Sequence, residues 1–404
     1  QYHPRGRGTF ANVTAVKTPD AHTAILVLSK PAPYLLTALA ATESPIVPKH
    51  LYEGTDILTN PHNSAPVGTG PFVYKGWVRG SHIALERNPE YWDRPKPYLD
   101  KVTVRFIPDA AARALALESG SADLGGQAIP LSDVERFKAS PKFAVDTESE
   151  PYLGSQQQLY FNLDSPALAK IEVRRALAGA LDLNAFNKLV WFGYGQIAAS
   201  PIGPLIAKYH DANIKPYPYD LKKAEAALDA AGYTRGADGT RFKLRLLWNP
   251  FQEKRAAEFV RQSLARIGVD AVIESYDFAT YVTRVYTDRA FDITLEALAN
   301  MFDPTVGVQR VYWSKNFKIG LPFSNPAHYA NPEVDRLLEA AAIENDEGKR
   351  RQLFLDFQRL VNQDLVSVEF GTSPRVVVRT KALKNYAPGG EGLRGNFADA
   401  YLQP

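Results

Sequence analysis

The chain has 404 residues, 45% hydrophobic and 23% charged, ordinary proportions for a globular protein large enough to bury several cores. Lys and Arg total 47 against 44 Asp and Glu, so the net charge of +3 gives no reason to expect a polyanionic partner, and no basic stretch is interleaved with aromatics as a nucleic-acid groove requires. There are no cysteines, which removes disulfides, thiolate nucleophiles and cysteine-ligated metals together.

From the N-terminus, Gln1 to Arg5 lacks the apolar core of a signal peptide, and no apolar run approaches the roughly 20 residues of a membrane span. His22 to Leu28 is rich in β-formers and stops at Ser29-Lys30-Pro31. Asn60 to Gly70, rich in Pro, Asn and Gly, is a linker candidate, as is Ala387 to Gly395. Val102 to Ile107 alternates as a strand, with Val102, Val104 and Phe106 on one face. Asp109 then caps an Ala-rich helix that ends at Gly120.

Asp220 caps a second helix, Leu221 to Ala231, closed by Gly232. Arg241 to Trp248 is a strand, Glu253 to Ile267 an amphipathic helix and Val269 to Glu274 a strand, a unit that implies parallel neighbours joined by a right-handed crossover. Asn331-Pro332 opens a further helix with Pro at its first position. Asp346 to Asn362 follows as a helix, and Val366 to Val378 reads as two β-rich runs broken at Thr372-Ser373-Pro374. Strands and helices therefore alternate throughout, the mark of an α/β protein.

Several chemistries find no support. Gly68-Thr69-Gly70-Pro71 is too short for a phosphate loop, and its proline removes a backbone donor. No Gly-x-Ser-x-Gly elbow occurs, and the seven histidines are scattered without a His-x-x-x-His pair, so neither a hydrolase nucleophile nor a zinc site is indicated. Most carboxylates lie on helix faces, as in Glu333-Val334-Asp335-Arg336, and read as solvated surface.

Four stretches, in one order, carry a resemblance to a known family. The first joins Gly68-Thr69-Gly70-Pro71-Phe72 through Trp77 to Glu86-Arg87-Asn88-Pro89-Glu90-Tyr91-Trp92. The second is Val104-Arg105-Phe106-Ile107-Pro108-Asp109 with Leu117-Glu118-Ser119-Gly120 and Ala122-Asp123. The third runs from Val173-Arg174-Arg175-Ala176-Leu177 to Pro216-Tyr217-Pro218-Tyr219-Asp220 and Ala230-Ala231-Gly232-Tyr233. The fourth is Asp303-Pro304 followed by Tyr329-Ala330-Asn331-Pro332-Glu333-Val334-Asp335. Over nearly its whole length the chain resembles the bacterial extracellular solute-binding proteins of family 5, the peptide, nickel and opine class that serves ABC importers.

The resemblance implies an α/β, two-lobed periplasmic-binding-protein fold with an extra third domain and two hinge crossings. It assigns 1–65 to the remainder of the extra domain, 66–160 to lobe I, 161–369 to lobe II and 370–404 to the return into lobe I. It further implies a periplasmic or lipid-anchored protein that captures an oligopeptide or similar polar solute for ABC permease subunits. It points to no catalytic residue, cofactor, metal or nucleic acid. Family members carry a substantial portion ahead of the place where this chain begins, so a preceding N-terminal segment is expected to exist.

In peptide-binding relatives an acidic residue shortly before the Asp-Pro equivalent pairs with the α-ammonium. Counting back from Asp303-Pro304 places Asn300 there, and counting forward from Phe291-Asp292 places Met301 there. Neither is acidic, and a buried ammonium without a counter-charge is costly, so neutral or hydroxylated ligands suit the site better. Asp303 is either a turn residue before Pro304 or a ligand contact. Trp248, Asn249 and Phe251 follow a strand and precede a helix, a place where α/β proteins hold ligands or merely cap a helix. Gln156, Gln157, Gln158 and Tyr160 enter a predicted crossing, with alternate members facing cleft and core. Arg310 is suited to a bidentate anion or to a surface salt bridge. The candidate ligand residues are thus Gln157, Tyr160, Trp248, Asn249, Phe251, Asn300, Met301, Asp303 and Arg310. Two other readings stay open: a ligand-sensing domain of a regulator on the same fold, and an α/β hydrolase.

Overall fold

A computed structural model describes residues 6–41, 43–147 and 154–403, so the first five residues, read above for a leader, lie outside it. The chain divides into two compact units. The larger holds residues 154–373 with 6–38, and the smaller holds 39–147 with 374–403.

The larger unit is built on a five-stranded mixed sheet. Its strands are β1 (Ser155–Phe161), β2 (Phe242–Trp248), β3 (Val269–Glu274), β4 (Ile293–Ala299) and β5 (Ser367–Thr372), in the spatial order β3-β2-β4-β1-β5. β2 runs parallel to β3 and to β4, whereas β1 is antiparallel to β4 and to β5. The parallel pair expected from strand, amphipathic helix and strand is therefore present, with Val269 opposite Phe242 and Glu274 opposite Leu247.

Seven helices matter for the core: α1 (Ile171–Gly179), α2 (Leu183–Val190), α3 (Leu221–Ala230), α4 (Lys254–Arg266), α5 (Phe278–Tyr286), α6 (Pro332–Ile343) and α7 (Glu347–Asp364). Their starts follow local chemistry. Asp220 accepts from the Lys223 amide at 3.0 Å, Asn331 from the Glu333 amide at 3.0 Å ahead of Pro332, and Asp346 from the Lys349 amide at 2.8 Å. α4 buries Ala256, Ala257, Val260, Ser263 and Leu264, one stripe at helical spacing.

Alternation along the strands sends side chains to two apolar layers. On one face Leu159, Phe161, Leu246, Leu295 and Phe370 pack with Leu177, Phe186, Leu228 and Leu264. On the other, Tyr160 and Leu298 pack with Leu338, Phe354 and Phe357, while Leu247 and Phe291 meet Tyr281 and Val285. A bulge in β5 puts Phe370 between Glu369, opposite Gln158, and Gly371, opposite Gln157. Gly371 has φ +117, and a Cβ there would lie 2.1 Å from the Gln196 carbonyl oxygen, so only glycine fits.

The sequence boundaries of 160/161 and 369/370 fall inside β1 and β5. Gln157 and Tyr160 therefore belong to the sheet of the larger unit, as does Phe370.

In the smaller unit, Val377–Thr380 pairs antiparallel with both Leu124–Gly126 and Phe143–Asp146, so the C-terminal segment closes a sheet begun much earlier. Asp109 caps Ala110–Glu118 through the Ala112 amide at 2.7 Å. Phe72–Val78, His82–Arg87 and Lys101–Arg105 form a separate antiparallel sheet, none of whose residues is buried. The Asn60 to Gly70 segment is a fastened turn, with Asn60 Nδ2 donating to the Leu51 carbonyl at 2.9 Å and to Thr55 Oγ1 at 2.8 Å.

Arg174 of α1 staples the larger unit. Its guanidinium donates to the carbonyls of Leu168 at 2.7 Å, Ala169 at 3.0 Å, Asp364 at 2.7 Å and Leu365 at 2.9 Å. Leu365 lies in the left-handed region, φ 46, which ends α7. Arg174→Met keeps the apolar stem but strands four carbonyls. With orphaned buried groups costing about 1–3 kcal/mol each and partial solvent rescue, the loss is expected to be about 3 kcal/mol or more by urea unfolding. A loss below about 1 kcal/mol would show that water replaces the guanidinium.

Candidate functional site

The carboxyl ends of β2 and β4, the start of β1 and the end of β5 lie at one end of the sheet: Ala299 pairs with Ser155, Gln156 with Thr372, and Leu295 with Trp248. Loops after parallel strands gather at this end, the usual position for ligands in α/β sheets.

The face leading to it is polar although buried. Ser367, Tyr160 and Thr294 form one cross-strand row, and Glu369, Gln158 and Glu296 form the next. The second row places an amide between two carboxylates. Tyr160 donates its hydroxyl to Gln158 Oε1. Gln158 Nε2 donates to Tyr312 Oη at 3.1 Å, and Tyr312 donates to Glu369 Oε1 at 3.0 Å, where Ser367 Oγ also donates at 2.7 Å. The hydrogen bonds thus run in one direction toward Glu369. Glu369 Oε2 has no partner among the described residues.

Glu296 is held differently. Asn249 Nδ2 donates to Oε1 at 2.6 Å, the Ala297 amide to the same oxygen at 3.2 Å, and Tyr281 Oη to Oε2 at 3.0 Å. Burial raises both carboxyls. Glu369 is pushed up to about 7, while for Glu296 the upward effect of burial is opposed by the Asn249, Tyr281 and Ala297 donors. Burial likewise drives the Tyr160, Tyr281 and Tyr312 hydroxyls well above their ordinary value, so they stay neutral donors.

The structure gathers most of the residues that sequence reasoning singled out, but turns many of them inward. Gln157 is buried and donates to the Glu296 carbonyl at 3.1 Å. Tyr160 is fully buried in the network just described. Asn300 is buried too: its Oδ1 accepts from the Gly203 amide at 2.6 Å and its Nδ2 reaches the Pro201 carbonyl at 3.4 Å. Met301 is buried with φ 56, at the corner where the chain leaves β4.

Asp303 combines the turn role with a stronger one. Its Oδ1 accepts from the Thr305 amide at 2.9 Å, and its carboxylate is clasped by Arg350 at 2.7 and 2.8 Å. Arg350 also donates to Tyr209 Oη at 2.7 Å, Thr305 Oγ1 at 2.9 Å and the Ala341 carbonyl at 2.8 Å, which uses all five of its N–H groups. Arg310 donates to the carbonyls of Gly307 at 3.0 Å, Phe323 at 3.2 Å and Ala299 at 3.5 Å, tying the segment after β4 to this end of the sheet.

Trp248 is half-buried and donates through Nε1 to Ser275 Oγ at 3.0 Å. Asn249 is buried, and its Oδ1 accepts from the Phe251 amide at 2.9 Å. Phe251 is exposed. Arg350, Tyr281, Tyr312 and Glu369 were not among the expected site residues. The run Gln156-Gln157-Gln158 inside a strand was the one sequence signal of a buried polar face. Among the described residues no group of three or more His, Asp or Glu gathers as a metal site, and no helix is long and apolar enough to cross a membrane.

The chain belongs to the bacterial extracellular solute-binding proteins, family 5, whose middle-region description matches residues 2–318. Heme-binding protein A of Haemophilus influenzae is 29% identical over 377 residues, 89% of this chain and 66% of that protein. Di/tripeptide-binding protein 1 of Pseudomonas aeruginosa is 26% identical over 305 residues, 75% of this chain and 55% of the relative. This chain therefore spans less than two thirds of the length of both relatives. The ABC transporter-associated periplasmic binding protein DppA of Helicobacter pylori, solved with the peptide STSA, superposes with a TM-score of 0.85 at 29% identity, covering 100% of this chain and 77% of that one. The α/β periplasmic-binding-protein fold expected from the resemblance is the fold observed.

Glu369 makes a pH prediction. Its folded pKa of about 7 exceeds the unfolded carboxylate value, so the neutral acid stabilises the fold fully at low pH and this stability is lost as pH rises through about 7. Glu369→Gln keeps the shape without the titration. Relative to wild type it should gain about 3 kcal/mol between pH 4 and pH 8, read by urea unfolding across that range. Parallel profiles would show that Glu369 titrates alike in the folded and unfolded chain. Asn300→Asp should lose about 1–3 kcal/mol in the same assay, because it sets a carboxylate oxygen against the Pro201 carbonyl.

Proposed function

We propose that this chain is the solute-capturing part of an ABC importer, working outside the cytoplasmic membrane, and that it takes an oligopeptide or similar-sized polar solute at the end of the larger unit's sheet where β2 and β4 terminate. The observation that carries the reading is that end itself, in a member of a solute-binding family. Half-buried and exposed rings, Trp248 and Phe251, stand there beside amides and backbone that the buried network holds in place. The likeness to a peptide-bound periplasmic binding protein over the whole chain supports a peptide-sized ligand. Its role is capture and delivery rather than turnover.

The buried carboxylates near this end are already engaged: Glu296 by three donors, Asp303 by Arg350, and Glu369, through Oε1, by Tyr312 and Ser367. Selectivity therefore does not rest on a free α-ammonium. Titration of the protein with tri-alanine and with N-acetyl-tri-alanine by calorimetry should give affinities within about threefold of each other. A preference of a hundredfold for the free amine would mean that a carboxylate pairs with it and would restore the ordinary α-ammonium mode. A peptide library in a thermal-shift assay tests the reading itself: a ligand at 100 times its Kd should stabilise the fold by about 2.7 kcal/mol. No shift with any peptide-sized solute, or hydrolysis of those that bind, would overturn it.

A further inference from the structure

Phe251 leaves 74% of its surface exposed in the loop that follows β2. A lone exposed ring is unremarked on most protein surfaces. Two features set this one apart. The ring packs on Phe278 with centroids 4.7 Å apart, Phe278 stacks on Phe323 at 6.1 Å and 18°, and Phe323 meets Tyr286 at 5.7 Å. A row of rings thus climbs from a buried cluster to solvent and ends in Phe251.

The second feature is how the backbone beneath that ring is held. The Phe251 amide donates to Asn249 Oδ1 at 2.9 Å, the Gln252 amide donates to the Asn249 carbonyl at 2.8 Å, and Asn249 Nδ2 donates to Glu296 at 2.6 Å. Glu296 is itself buried inside the sheet. A buried carboxylate is an expensive anchor for a surface turn, which an ordinary cap would hold at lower cost. What the anchor supplies is a rigid loop. A ring fixed before binding loses little freedom when a ligand stacks on it.

We propose that Phe251 and Phe278 form a stacking platform for a planar aromatic, or comparably flat apolar, group of the captured solute. Asn249 and Glu296 are its positioning residues. This rests on the reading of this end of the sheet as the solute site and names the class of solute it prefers. The flat group covers the open face of Phe251, and the remainder of the solute lies toward Trp248 and the start of β1.

The test has a peptide arm and a non-peptide arm. In calorimetry, Ala-Phe-Ala should bind the wild type about tenfold tighter than tri-alanine, from apolar burial plus ring stacking. Phe251→Ala should erase that ratio, and Phe251→Leu, which keeps apolar bulk, should retain only a small part of it. In saturation-transfer NMR, N-acetyl-tryptophanamide should show indole signals with the wild type and none with Phe251→Ala. The positioning role has its own reading. Asn249→Asp sets two carboxyl groups against each other and should lose the ratio, whereas the double variant Asn249→Asp/Glu296→Gln reverses donor and acceptor across the same pair and should restore it. A ratio unchanged by Phe251→Ala in a properly folded variant, or indole signals that survive it, would overturn the platform. If the indole probe binds through Phe251 and no peptide binds at all, the platform stands and the peptide reading falls.

Discussion

Two carboxyl groups inside a sheet, Glu296 and Glu369, impose the main constraint on the larger unit. A carboxylate taken from water into a protein interior loses solvation worth many kcal/mol, and it persists only with hydrogen bonds or as the neutral acid. Both solutions are used one strand apart from Gln158. Glu296 has three donors. Glu369 has two donors on one oxygen and none on the other, and burial, opposed by its hydrogen bonds, pushes its pKa up to about 7. A proton on Oε2 removes the charge that the bare oxygen would otherwise carry. β1 has to lie between β4 and β5 for this to work, because its antiparallel pairing on both sides brings Glu296 and Glu369 into one row with Gln158.

Another buried acid, Asp303, is treated in the opposite way. Asp303 meets Arg350 in a bidentate pair whose partners are 5% and 4% exposed at the side chain. Such a pair roughly breaks even against an apolar replacement, while loss of one partner costs about 3–5 kcal/mol. Its effect is thus on geometry more than on net stability. It fixes the turn after β4 to α7, and with Asn300 bound to Gly203 and Arg310 bound to the Ala299 carbonyl it sets the shape of the loop that closes this end of the sheet.

Local features were legible in the sequence because local chemistry causes them. Asp109 and Asp220 cap the helices that they were expected to cap, helices open at Asn331-Pro332 and at Asp346 as expected, and the stretch from Arg241 to Glu274 folds as the parallel strand–helix–strand unit its periodicity indicates. The polar face was not legible in the same way. Gln158, Glu296 and Glu369 are more than a hundred positions apart at their extremes, and only cross-strand register brings them together. The boundaries read at 160 and 369 fall inside β1 and β5, strands buried on both faces whose β-rich runs carry no alternation to show which unit they enter. Asn300 and Asp303 stood out because of their place before a proline, yet that place is filled by contacts to Gly203 and to Arg350 that no spacing reveals.

What this end of the larger unit offers to a solute follows from that division. Its buried acids are neutralised or paired and its buried amides largely satisfied, so little unspent charge is left among them to fix a ligand's ends. The groups left to act are those that act without charge: the ring of Phe251, the half-buried Trp248 and backbone polar groups held rigid from beneath. Sites of that kind discriminate by shape and by apolar area removed from water, at about 25 cal/mol per Å². They tolerate variation in a ligand's termini far better than variation in its bulk. A family that keeps one sheet and varies the loops at its end can therefore change ligand without altering its core, because the buried network and the contact surface are made by different side chains. Asn249 joins the two, with one side of its amide on Glu296 and the other on the Phe251 backbone.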